Sequence, residues 1–175
     1  GRFIEDSLVE EKIATKFVGV SEDTRINVKI KSIQETEING TGPTISKENL
    51  EELEGILSGL TEKDTVIFSG SAPSKLGNQV YNTLIPIAKE VGAAVVCDFE
   101  GQTLLDSLAY QPLLVKPNNH ELAEIFNVKL DSIKDIEKYA REVLAKGAQN
   151  VIISMAGDGA LLVTTDATYF AKPIK

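Results

Sequence analysis

Apolar and polar residues follow two rhythms along this chain, and the change between them divides it. Over residues 2–13 the spacing is helical, with Phe3, Ile4, Leu8, Val9 and Ile13 on one stripe. The period then shortens to two, and residues 16–21, 24–31 and 34–38 read as short strands. In the middle one Ile26, Val28 and Ile30 alternate with Arg25, Asn27, Lys29 and Lys31, which puts apolar and polar side chains on opposite faces. The turn-rich Asn39-Gly40-Thr41-Gly42-Pro43 closes this β region. A helix is expected from Ser46, an N-cap residue, with Asn49 where a Glu or Gln completes a capping box.

Beyond that helix, strands and helices alternate. Strands are expected at 65–68, 93–97, 113–115, 151–154 and 161–163, and helices at about 77–91, 102–108, 121–126 and 133–146. The strand runs are short, apolar throughout and β-branched, as in strands covered on both faces by helices. The fold class is therefore α/β, a mainly parallel sheet flanked by helices. Residues 16–38 are too polar for that sheet and read as a separate small β-layer, leaving 1–15 and 39–175 as the α/β body.

Composition narrows the partners. The 175 residues suit about one domain, and 42% apolar with 25% charged residues is a globular balance. No apolar run approaches the roughly 18 residues of a membrane span. With 26 acidic against 18 basic residues the net charge is −8, which argues against nucleic acid as partner. Small phosphorylated ligands remain open, since a few cations and helix N-termini can hold them. One cysteine, Cys97, and one histidine, His120, exclude a disulfide framework and a structural zinc site and fit a reducing, cytoplasmic setting.

In an open parallel sheet the chemistry sits beyond the carboxyl ends of the strands. Four segments lie there. Ser69-Gly70-Ser71-Ala72-Pro73 is either a plain strand-to-helix turn or a place where a ligand meets backbone and two hydroxyls. Asp98 either holds a magnesium ion through water or caps the following helix. In Lys116-Pro117-Asn118-Asn119-His120-Glu121, Asn118 and Glu121 have capping-box spacing. Lys116, a charge ending a buried strand, is left unexplained by that, and with Glu121 and free helix N–H groups it suits a nucleotide phosphate and its magnesium. Gly157-Asp158-Gly159, between Ser154 and the next strand, is a hairpin signal that can also bare N–H groups to a phosphate. On the β-layer, Arg25, Asn27 and Lys29 form either a solvated face or a phosphate clamp.

Taken in order, Thr-Arg-x-Asn, Ser-Gly-Ser-x-Pro, Asp-x-x-Gly, Lys-Pro-Asn-x-x-Glu and Ser-Met-x-x-x-Gly resemble the ribokinase-like sugar kinases of the phosphofructokinase B group. The run Thr-Arg-Ile-Asn-Val-Lys-Ile followed by Glu-Thr-Glu-Ile-Asn-Gly is most similar to the branch acting on fructose 1-phosphate, with tagatose 6-phosphate kinases near by. The resemblance implies an α/β domain whose small β-sheet, residues 16–38 here, is a lid over the sugar and a dimerisation element. It implies that Arg25, Asn27, Lys29 and Ser71 hold the sugar phosphate. It assigns Lys116, Asn118, Glu121, Ser154, Gly157 and Gly159 to ATP, and Asp98 with Glu121 to Mg²⁺ through water. Phosphoryl transfer from ATP to fructose 1-phosphate is the implied activity; the alternatives are a tagatose 6-phosphate or fructose 6-phosphate kinase of the same family, or a non-catalytic module that binds a nucleotide or sugar phosphate.

Three departures qualify it. Ala156 stands where the loop usually has glycine, and Ala72, Ser74 and Lys75 replace the usual Leu-Pro-Pro-Gly continuation. The family's Gly-Ala-Gly-Asp, source of the anion hole and of the base, occurs nowhere in these residues. The expectation is a central segment of a longer kinase, carrying no catalytic base itself and inactive alone.

Overall fold

The computed structural model describes residues 2–30 and 36–173. The chain divides into two compact units, Gly1–Ile56 with Ala72–Asn78, and Leu57–Ser71 with Gln79–Lys175.

The first unit opens with helix α1 (Arg2–Glu10), three residues shorter than its apolar stripe. Lys12 turns left-handed (φ 60°), and the Lys12 and Ile13 N–H groups donate back to the Val9 and Leu8 carbonyls, both at 2.9 Å. This closure usually announces itself with glycine, so a lysine at the turning position gives no warning. Strand β1 (Asn27–Ile30) pairs antiparallel with β2 (Thr36–Asn39), in register Asn27 with Asn39 and Lys29 with Glu37. Lys31 and the expected strand start at Gln34 lie outside the described residues. The strand expected at 16–21 is not there: the stretch is irregular, and the Gly19 carbonyl accepts from the Asn49 side-chain amide at 2.8 Å. Helix α2 (Lys47–Ser58) begins as its cap predicts. The Asn49 N–H donates to Ser46 Oγ at 3.2 Å and the Ser46 N–H to Asn49 Oδ1 at 3.1 Å, so Asn49 performs the part of the usual Glu. Ser74 and Lys75 tie their loop to the turn after β2, through the Thr41 carbonyl (3.2 Å) and Thr44 Oγ1 (2.8 Å).

The second unit is built on a six-stranded sheet in simple sequence order, from β3 (Thr65–Ser69) through β4 (Ala94–Asp98), β5 (Leu114–Val115), β6 (Asn150–Ser154) and β7 (Ala160–Thr164) to β8 (Thr168–Ala171). The pairings from β3 to β6 are parallel, and those of β6 with β7 and β7 with β8 are antiparallel, so the sheet is mainly parallel as expected, with β7 alone running against the other strands. Helices α3 (Tyr81–Glu90), α4 (Gly101–Ser107), α5 (Asn119–Phe126) and α6 (Ile133–Ala145) make the connections. The core lies between one sheet face and these helices. Val95, Cys97, Val115, Val151, Ile153, Leu161 and Val163 meet Leu84, Ile85, Leu104, Leu122 and Val143, all buried. On α6 the buried Ile136, Ala140 and Val143 recur at helical spacing. The opposite face of β4 and β6 is only half-buried, and Ile67 on β3 is 66% exposed. A continuous apolar run therefore overstated the cover: one face is fully withdrawn from water and the other partly.

Burial on this scale predicts a sharp contrast in urea unfolding. Ile153→Ala, in the closed core, lowers stability by about 2–5 kcal/mol, whereas Ile67→Ala shifts it by no more than about 0.5 kcal/mol.

Candidate functional site

Because β3 to β6 run parallel, their carboxyl ends emerge side by side, and polar residues occupy each. Ser69 and Asp98 are register partners at the ends of β3 and β4, and Ser69 Oγ donates to Asp98 Oδ2 at 3.2 Å. Just beyond β5, Lys116 Nζ lies 3.0 Å from Asp98 Oδ1. This answers the unexplained lysine: its charge is met by Asp98 across the neighbouring strand. Both side chains are partly exposed, so the pair contributes no more than about 1 kcal/mol to stability, and its consequence is placement. Asp98 does not cap α4. The N-cap there is Glu100, whose side chain makes no capping bond.

Pro117, fully buried, leads from Lys116 into α5. Asn118 is the N-cap, and the capping box is complete. Asn118 Oδ1 accepts from the N–H groups of His120 (2.8 Å) and Glu121 (2.9 Å), while Glu121 Oε2 and Oε1 accept from the Asn118 N–H (2.8 Å) and side-chain amide (2.6 Å). Two of the helix N–H groups expected to be free for a phosphate are thus already taken. The cap also fixes the Glu121 carboxylate, each of whose oxygens keeps a further lone pair. Ser154, ending β6, donates its N–H to the Pro117 carbonyl at 3.2 Å and bridges to Asn118. His120 is exposed.

The loop from β6 to β7 is the expected hairpin, with Ser154 opposite Ala160. Met155 N–H donates to the Gly159 carbonyl at 2.9 Å. Its two glycines differ in purpose. At Gly159 (φ 100°) a Cβ would stand 2.1 Å from the Ala171 carbonyl, so the fold itself demands glycine. Where a Cβ at position 157 would stand nothing lies within 4 Å, and no requirement of packing within the chain explains that glycine. Ala156 adopts φ 48°, a conformation costly for any residue with a Cβ.

The β-hairpin of the first unit carries Asn27 and Lys29 on one face with Glu37 and Asn39. Lys29 Nζ and Glu37 Oε1 are 2.6 Å apart, and this bond with its charge holds the Glu37 carboxyl below its ordinary range. Lys29 is thus paired across the strands, which spacing within one strand could not reveal. Arg25 precedes β1, its stem 3.4 Å from where a Cβ on Gly40 would be. Ser71 is exposed beyond β3 and follows Gly70 (φ 84°). Of the residues singled out from sequence, Asp98, Lys116, Asn118, Glu121 and Ser154 share one edge of the second unit with Ser71; Arg25, Asn27 and Lys29 belong to the first unit. The sequence gives no sign of Glu37 as a site residue, and it offers Ser69 only as one of two hydroxyls in a turn, without its bond to Asp98.

Among the described residues no three His, Cys, Asp or Glu side chains converge as a metal cage. Two carboxylates beyond adjacent strands fit instead an ion that keeps waters and shares phosphate oxygens, the habit of magnesium.

A family model described as pfkB family carbohydrate kinase matches residues 1–175. The chain belongs to this family. It is 44% identical over 172 residues to a 1-phosphofructokinase of Bacillus subtilis, covering 98% of this chain and 57% of that protein. To a D-tagatose-1-phosphate kinase of Bacillus licheniformis it is 38% identical over 176 residues, covering 58% of that protein. The crystal structure of phosphofructokinase-2 from Escherichia coli in complex with fructose-6-phosphate superposes with a TM-score of 0.87 at 25% identity, over 99% of this chain and 59% of that one. The chain therefore spans a little over half the length of these relatives. No helix among the described residues is long and apolar enough to cross a membrane.

Two stability results follow from this geometry. Ala156→Gly relieves the left-handed strain and raises the unfolding free energy by up to about 1 kcal/mol in urea titration. Cys97, beside Asp98, is pushed up by burial to about 11, from an ordinary 9.0. A raised pKa means that the folded chain keeps its proton after the unfolded chain has lost it, so this stability is complete below pH 9.0 and declines from there to about 11. Urea midpoints measured across that window fall less in Cys97→Ala.

Proposed function

We propose that this chain is the central part of a kinase that transfers the γ-phosphoryl group of ATP to the 6-hydroxyl of fructose 1-phosphate. The observation that carries this reading is the unbroken polar row along the carboxyl ends of β3 to β6, from Ser69 through Asp98 and Lys116 to the Asn118–Glu121 cap and Ser154. It supplies one cation held by Asp98, a second carboxylate fixed by the helix cap, and hydroxyls, which suits polyphosphate chemistry in an acidic protein.

In this reading Lys116 meets the nucleotide phosphates, and the open backbone around Gly157 lets the nucleotide approach, with Ser154 and Gly159 framing that loop. Asn118 orients Glu121, and Glu121 and Asp98 hold Mg²⁺ through its waters. The ion, when bound, neutralises phosphate charge. Asp98 is shared between that task and Lys116, so it also sets where the ammonium stands. Residues 16–38 act as the lid over the body formed by 1–15 and 39–175, with Arg25 and Asn27 binding the sugar phosphate, Lys29 tempered by Glu37, and Ser71 touching the sugar. The apolar side of this hairpin, with Ile26, Val28, Ile30 and Ile38 all exposed, supports pairing of two lids in a homodimer. The relative that acts on tagatose 1-phosphate favours a second reading, in which the C4 epimer is also accepted. No Gly-x-Gly-Asp occurs in these residues, so the base that takes the hydroxyl proton is not among them.

The test is turnover by the intact kinase containing this segment, offered fructose 1-phosphate, tagatose 1-phosphate, fructose 6-phosphate and tagatose 6-phosphate with MgATP. The highest kcat/KM is expected for fructose 1-phosphate, and none for the 175-residue chain alone. Arg25→Ala raises the KM for the sugar phosphate at least about tenfold, the loss of a charge-assisted contact. Preference for a 6-phosphate, or an unchanged KM in Arg25→Ala, refutes the respective assignment.

A further inference from the structure

Tyr81 is the first residue of α3 and belongs to none of the motifs above. Its ring is fixed by packing: the centroid lies 4.4 Å from that of Phe99 and 6.1 Å from that of Phe68, the latter edge-on at 73°. Both phenylalanines are buried, Phe68 inside β3 and Phe99 just after β4. The ring is therefore anchored to the carboxyl ends of the same two strands that present Ser69 and Asp98. From this anchored ring the hydroxyl donates to the Gly70 carbonyl at 3.2 Å.

The turn so held needs holding. Gly70 sits at φ 84°, and nothing lies within 4 Å of where its Cβ would be. No wall stands where its side chain would go, and glycine passes readily between conformations on both sides of φ zero. Ser69 is secured by its bond to Asp98 at 3.2 Å, but that bond precedes the glycine and leaves the orientation of the next peptide plane undetermined. The Gly70 carbonyl and the Ser71 N–H share that plane, which is rigid and trans, so they point in opposite directions. Whatever fixes the Gly70 carbonyl fixes the Ser71 N–H and the position of the Ser71 Cα.

We infer that Tyr81 is a positioning residue for the sugar phosphate: its hydroxyl locks the Gly70–Ser71 peptide and so presets the part of the turn that meets the sugar. This rests on the kinase reading above and adds to it a residue that touches neither substrate. Preorganisation of this kind acts on affinity by removing an ordering cost from the binding step. Since the bond lies outside the nucleotide elements, its loss is specific to one of the two substrates.

The experiment is Tyr81→Phe in the intact kinase, which keeps the ring and removes one O–H. The KM for the sugar phosphate is expected to rise roughly 3- to 10-fold, as for one neutral hydrogen bond, with the KM for ATP within about twofold and Tm within about 2 °C. A sugar-phosphate KM within about twofold of the wild type overturns the inference, as does an equal rise in both KM values or a lowered Tm with unchanged KM, either of which assigns the hydroxyl to the fold. The wild-type control separates the two levels of the argument. A wild-type kinase that turns over none of the four sugar phosphates overturns the proposed function and this inference together. Turnover by the wild type with an unaltered variant overturns the positioning role alone.

Discussion

Parallel pairing of β3, β4, β5 and β6 is the constraint from which the rest of the second unit follows. In a parallel pair, register carries residues of like position to the same level, so Ser69 meets Asp98 where both strands end. Helical crossovers then return each connection to the opposite end of the sheet and leave the carboxyl ends to the side chains. A polar row there requires no long loop and no basic surface. The pairing of Lys116 with Asp98 at 3.0 Å is one result, reached between residues 18 positions apart in sequence by the adjacency of two strands alone.

In a chain of net charge −8 that arrangement places cations locally without any basic surface. Two of its cations are individually matched, Lys116 to Asp98 and Lys29 to Glu37. A matched cation is confined in direction, and its partner also tempers its attraction for any anion that arrives at random. On the kinase reading proposed above, selectivity would rest on whether a ligand brings enough charge in the right place to share the lysine with its carboxylate.

Much of this was legible in the amino-acid sequence, and what was not has identifiable causes. The uniform apolar runs at 94–97 and 151–153 located the sheet, and Ser46 and Asn118 located two helix starts, because caps are short-range chemistry. The end of α1 was overlooked since Lys12 takes a conformation that glycine would have advertised. The irregular stretch 16–21 looked like a strand from alternation alone, although a strand also depends on a neighbour to pair with. At the site, Asp98 and Lys116 were each visible as polar ends of apolar runs, but their union was not, being a property of strand order. Glu37 was hidden for the same reason, since its relation to Lys29 exists only once the hairpin closes.

The hairpin between β6 and β7 has one more consequence. It reverses direction over a handful of residues, closed by the bond from Met155 to Gly159 and pressed against β8 at the Ala171 carbonyl. Such a loop has few alternative shapes left to surrender. On the kinase reading proposed above, a nucleotide seated on it would gain contact without having to organise its host, and its residence there would be governed by the fit of its own atoms rather than by the slow closing of a flexible segment.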